Sequence, residues 1–157
     1  MENVVICGAA RTPIGGFQGA FDAVPAARLG GAAIKAALLQ TSLSSVDEVL
    51  MGNVLGAGQG QAPARQASFH ADLGTQVPAT TLNKMCGSGM KATMIGFNQI
   101  ALGQTQVMAV GGMESMSNAP YLLPKMRGGA RLGHSKVADH MFLDGLEDAY
   151  EKGRLMG

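Results

Sequence analysis

Charge is scarce in this sequence. Acidic and basic residues make up 15% of 157, and the formal net charge is +1. That leaves no basic stripe for a nucleic acid and no electrostatic case for an anionic membrane surface. Cysteine is scarce too. Cys7 and Cys86 do not make a disulfide framework, and two reduced thiols fit a cytoplasmic or mitochondrial-matrix compartment. His70, His134 and His140 stand far from one another and from the cysteines, so no metal-ligand spacing arises and no metal site is expected. There is no Asn-x-Ser/Thr sequon, no repeat at a fixed period and no apolar run long enough to span a bilayer. The opening Met1-Glu2-Asn3 is not a basic leader, and Arg11 interrupts the first apolar run too early for a signal peptide.

Apolar residues are plentiful at 46%, enough for one packed domain. The stretch with the most chemistry is Asn83-Lys84-Met85-Cys86-Gly87-Ser88-Gly89-Met90-Lys91-Ala92. Ala79–Leu82 before it reads as a short strand, and the residues up to Leu102 carry apolar side chains at helical spacing. Cys86 therefore stands where a strand turns into a helix. Unpaired N–H groups and the helix dipole stabilise a thiolate there, and Gly87 and Gly89 clear space beside the sulfur. Three readings of the spacing stay open: a nucleophile, a redox-active thiol, or a buried structural cysteine.

The rest of the chain alternates strand and helix. Val4–Cys7 reads as a buried strand, followed by a loop in which Arg11 bonds carbonyls and Pro13 with Gly15 makes a turn. A helix runs from Pro25 to about Gln40, with Leu29, Ala33, Ala36, Ala37 and Gln40 on one side and Arg28 and Lys35 on the wet side. Val49–Met51 is a second strand. Gly56–Gln61 lacks the third glycine of a dinucleotide loop. Pro63 opens a short helix through Ala71, with Gly74 as its stop. The helix after Cys86 carries Met90, Met94, Phe97 and Ala101 on one face and Lys91 as its lone charge; such a helix needs a second apolar layer. Val107–Val110 is a fourth strand. Alternation of this kind predicts an α/β fold with a mixed, mostly parallel sheet and helices on both faces, and sites in such sheets gather at the carboxyl ends of strands. Just over half of the charged residues fall from Met113 onward. Lys125, Arg127 and Arg131 there form a basic cluster that either meets an anionic ligand or faces solvent or another subunit. His134–Tyr150 is weakly helical, and His134 and His140 read as ordinary surface histidines.

Four stretches together resemble the thiolase family, in its acetyl-CoA acetyltransferase branch. They are Arg11–Gly15, Met51–Leu55 with Gly60–Ala67, Asn83–Gly89, and Val110–Ser117, in the family's order and spread over the whole chain. The resemblance implies a thiolase-like N-terminal half over residues 1–112 and the start of a loop domain, which contacts CoA and forms oligomers, over 113–157. It implies that Cys86 takes an acyl group from acetyl-CoA and that a second acetyl-CoA condenses with it to give acetoacetyl-CoA, or the reverse thiolysis. It also implies a homodimer, or a tetramer in which dimers pair through a loop at roughly Pro120–Arg131, and CoA thioesters as substrates with no separate cofactor. The alternatives are a degradative 3-ketoacyl-CoA thiolase, or a catalytically incomplete half that needs a second chain. The family's activating histidine, second cysteine and asparagine-held water belong to its second half and match nothing here. Met156-Gly157 is similar to the family's His-Met-Gly at the acyl pocket, with Leu155 in place of histidine, so Met156 is either a pocket residue or apolar filler.

Overall fold

A computed structural model describes residues 3–156 of the chain. Its centre is β1 (Glu48–Gly52), in which Val49 and Met51 are almost fully buried. β2 (Ala79–Leu82) and β3 (Met108–Gly112) pair with it on either side, both parallel, so that Val49 lies between Ala79 and Ala109. Parallel neighbours cannot be joined by tight turns, and the crossovers are helices. α2 (Pro63–His70) connects β1 to β2, and α3 (Ser88–Ala101) connects β2 to β3. α1 (Ala26–Leu38) precedes the sheet and packs chiefly on α2.

Side chains alternate along a strand, so β1 divides its residues between two faces. Val49 and Met51 join Ala26, Ala27 and Ile34 of α1 and Ala64 and Ala67 of α2 in one core. Gly52, together with Val110 of β3, faces α3, where a Cβ on Gly96 would stand 2.7 Å from the Val110 side chain. Helices thus cover both faces of the sheet, as expected. The three-stranded sheet is parallel throughout; the antiparallel pair among the described residues, β4 (Tyr121–Leu122) with β5 (Ala138–Asp139), forms a separate ribbon. Beyond β5 a π-turn spans Phe142–Leu146, so the expected weak helix over 134–150 is confined to a single turn. No helix among the described residues is long and apolar enough to cross a membrane.

Four local expectations are corrected. Val4–Cys7 forms no strand; Val5 and Ile6 are exposed, and the segment is held at its end, where Gln40 bonds both the N–H and the carbonyl of Ala9. The turn after it falls at Gly16–Gly19, with Gln18 left-handed (φ 52°), and Arg11 has no hydrogen-bond partner among the described residues. Carbonyls are instead gathered by Arg65, which bonds those of Val77 and Thr75 and lies over the Phe69 ring. The chain leaves α2 through a left-handed Asp72 (φ 60°) rather than Gly74, and Asp72 pairs with Lys35 of α1.

The fourth correction concerns α1. Its packed face is Ala26, Ala27, Gly30, Gly31 and Ile34, a quarter-turn away from the face drawn by its leucine and alanines. The glycines decide this, because a Cβ on Gly31 would lie 2.9 Å from the Ala67 carbonyl oxygen of α2. Replacing Gly31 by valine is expected to cost about 1–3 kcal/mol in urea unfolding through overpacking. Gly16→Ala, at a position with open space around it, is the control and is expected to stay within about 0.5 kcal/mol. Equal stabilities for the two variants would refute the close α1–α2 contact.

Candidate functional site

Cys86 lies between the carboxyl end of β2 and the first residue of α3. It is exposed, which removes the buried structural reading. The chain arrives at it through Met85 in a left-handed conformation (φ 49°), an uncommon backbone state for a residue with a side chain. Local bonds hold that bend. Asn83 accepts the Met85 N–H at 2.8 Å through its side-chain oxygen. The buried Ser88 hydroxyl accepts the Lys84 N–H at 2.8 Å and donates to the Met85 carbonyl at 2.6 Å. Among the described residues the Cys86 N–H has no acceptor, so a donor is free at the residue that carries the sulfur.

The first turn of α3 rests directly on the sheet. A Cβ on Gly52 would sit 2.7 Å from the Ser88 carbonyl carbon and 2.8 Å from the Gly89 nitrogen, and Gly89 meets Gly112 at 3.4 Å on the same test. At the end of β1 only a residue without a side chain allows this approach.

Past those ends lies a polar network the sequence reading did not single out. Glu114 accepts the Asn53 side-chain N–H (2.8 Å) and the Leu55 N–H (3.1 Å) on one oxygen and the Val54 N–H (2.8 Å) on the other. Asn53, buried, also donates to the Met113 carbonyl at 3.2 Å and accepts from Gln59 at 3.0 Å. His140 is buried rather than on the surface: its Nε2 accepts the Ala57 N–H at 3.2 Å, and its Nδ1 lies 2.6 Å from the Asp144 carboxylate. Two signals in the sequence pointed here. Glu114 is the lone charge between Lys91 and Lys125, and His140 and Asp144 are four apart. The 56–61 loop is held by the same network. Gln66 bonds the carbonyls of Gln59 and Gln61, and Gly58 and Gly60 are left-handed, which accounts for its glycines without a nucleotide.

The other sequence candidates lie apart from these bonds. Met156 is half-exposed and tied by its N–H to the Leu146 carbonyl at 2.7 Å. Lys125 and Arg131 border an open depression of about 520 Å³ with His134. Met90, Met94 and Phe97 line an apolar groove on the outer face of α3, uncovered in this chain. Among the described residues no three His, Cys, Asp or Glu side chains converge on a metal-sized space.

Burial pushes the Glu114 carboxyl above its ordinary value of 4.5, against the pull of its N–H donors. The folded chain therefore binds this proton more tightly than the unfolded chain does. The resulting stabilisation is full below pH 4.5 and is lost as the pH rises through the raised value. Urea unfolding of wild type and Glu114→Gln from pH 4.5 to neutrality should show the stability difference, wild type minus variant, falling as the pH rises. A difference that is flat or rises with pH would contradict it.

Comparison with known proteins matches this arrangement to one family. Residues 4–157 match the family model described as Thiolase, N-terminal domain. An acetyl-CoA acetyltransferase of Pseudomonas aeruginosa is 51% identical over 152 residues, covering 96% of this chain and 39% of the relative. A mitochondrial acetyl-CoA acetyltransferase of Xenopus tropicalis is 51% identical over 154 residues, 97% of this chain and 36% of the relative. One from Cupriavidus necator is 49% identical over 154 residues, 97% of this chain and 39% of the relative. The chain thus spans less than two fifths of the length of these curated relatives. With a parallel α/β sheet, a cysteine at the strand-to-helix turn and a family match over nearly its whole length, this chain belongs to the thiolase family.

Proposed function

We propose that the chain supplies the acyl-accepting cysteine of an acetyl-CoA acetyltransferase. The Cys86 sulfur attacks the carbonyl carbon of acetyl-CoA, the carbon–sulfur bond to CoA breaks, and CoA leaves as the thiol with the proton taken from Cys86. The acetyl group is then carried as a thioester. A second acetyl-CoA, having lost a methyl proton to a base, attacks that carbonyl; the new carbon–carbon bond forms as the Cys86 sulfur departs, giving acetoacetyl-CoA. One hard condensation is divided into two steps. The free Cys86 N–H is one donor for the oxyanion in both. The observation that carries this reading is an exposed thiol at the start of α3, in a chain about half identical to proteins named for this activity.

The bases for the two proton transfers and a second oxyanion donor match no residue here. We assign them to the part of the protein that corresponds to the remainder of the relatives, or to a second chain. That part would cover the apolar α3 face of Met90, Met94 and Phe97, whose exposure is otherwise costly. Residues 113–157 are read as the start of the domain that contacts CoA and joins subunits, with Pro120–Arg131 as the joining loop. Met156 is read as a wall of a small acyl pocket.

Incubating the 157-residue chain with acetyl-CoA and locating the product by mass spectrometry is the test. An acetyl group is expected on Cys86, none on Cys7, and none in Cys86→Ser, with no acetoacetyl-CoA released. Acetylation absent from Cys86, or turnover by this chain alone, would overturn the proposal. Met156→Ala is expected to raise the ratio of butyryl to acetyl transfer several-fold, in line with about 0.8 kcal/mol for each methylene accommodated. An unchanged ratio would make Met156 filler. Faster loading of long-chain than of acetyl thioesters in the wild type would favour a degradative 3-ketoacyl-CoA thiolase.

A further inference from the structure

We propose that Glu114, with Asn53, is a positioning residue for Cys86; the inference rests on the reading of Cys86 as the acyl-accepting thiol. Glu114 follows the end of β3 and Asn53 follows the end of β1. Their mutual bond, the Asn53 bond to the Met113 carbonyl, and the Met113 N–H to the Gly52 carbonyl at 2.9 Å lock those ends at one spacing. Gly52 and Gly112, the last residues of the two strands, are the shelf against which Ser88 and Gly89 press. One arm of the carboxylate thus sets the seat of the chain just after Cys86.

The second arm acts before it. Both Glu114 oxygens bind the N–H groups of Val54 and Leu55, which fixes the loop leaving β1. The Val54 carbonyl of that loop faces the Asn83 side-chain nitrogen at 3.5 Å, and the Asn83 oxygen holds the Met85 N–H. The left-handed Met85 that turns Cys86 outward is therefore reached from the same carboxylate. A general tie between two strands needs one contact. Here a half-buried charge with three donors is spent on both flanks of a single exposed thiol. A neutral amide in its place would turn an N–H₂ group toward N–H donors, so the clamp requires an acceptor on each oxygen.

Cys7 supplies an internal reference, since it is also a free, exposed thiol and lies outside the clamp. The experiment is iodoacetamide alkylation of the folded chain, with the rates at Cys86 and Cys7 read separately by peptide mass spectrometry, alongside the thermal midpoint. In Glu114→Gln the ratio of the Cys86 rate to the Cys7 rate is expected to fall about fivefold, the size of one lost hydrogen bond. Asn83→Ala, a change at an exposed side chain, is expected to lower the ratio in the same direction and keeps the test open if Glu114→Gln does not fold. A lowered midpoint with an unchanged ratio in Glu114→Gln, or an unchanged ratio in Asn83→Ala, would overturn the positioning role and leave Glu114 a structural tie. Acetyl-CoA labelling of the same samples separates the two ideas: a ratio that falls while wild type takes no acetyl group sinks the acyl-transfer reading alone.

Discussion

β1 and β3 are joined at each end by a carboxylate. At the entrance Asp47 accepts the N–H groups of Gln106 and Val107 at 2.7 and 2.9 Å, which hold its carboxyl below the ordinary range. At the exit Glu114 accepts three N–H groups from the other strand's loop and from Asn53. The two ties differ in surroundings. Asp47 is solvated and its ionised form is simply favoured by its donors, whereas Glu114 carries a desolvation cost that its donors only partly offset. A carboxylate kept in so costly a place suggests a geometric demand, and the demand lies in the glycine shelf beside it. Two strands that end without side chains can carry a helix start at backbone contact only if their separation is held.

Much of this was legible in the residues. The three paired strands and three helices fall within a residue or two of where alternation, apolar periodicity and Pro25 or Pro63 placed them, because those signals are local. Cys86 was legible for the same reason: a strand, a Gly-flanked cysteine and a helix lie next to one another in the chain. The failures were non-local. Val4–Cys7 has the composition of a strand, but a strand exists only where a neighbour pairs with it, and composition does not specify the neighbour.

Hydrophobicity points to the wrong face of α1. Close packing chose Gly30 and Gly31 instead, and glycine carries no hydrophobic signal. A loop histidine is usually wet, yet His140 is buried. Its burial depends on a partner four residues on, Asp144, and on the Ala57 amide, distant in sequence. Glu114 shows the limit most clearly. Its lone charge was visible, but its three partners lie about sixty residues earlier and come together only once the sheet has formed.

The strand order has a consequence in time. The central strand is made first, and each neighbour comes later: Val49 waits for Ala79 and then for Ala109. Every ladder bond in this sheet therefore closes a long loop, which places the fold among those whose assembly is slowed by topology rather than by weak contacts. As the chain leaves the ribosome, Cys86 emerges before β3 and Glu114 do. The thiol is thus synthesised before the β3 half of the shelf that is to hold it, and its local geometry is among the last features of the sheet to be completed.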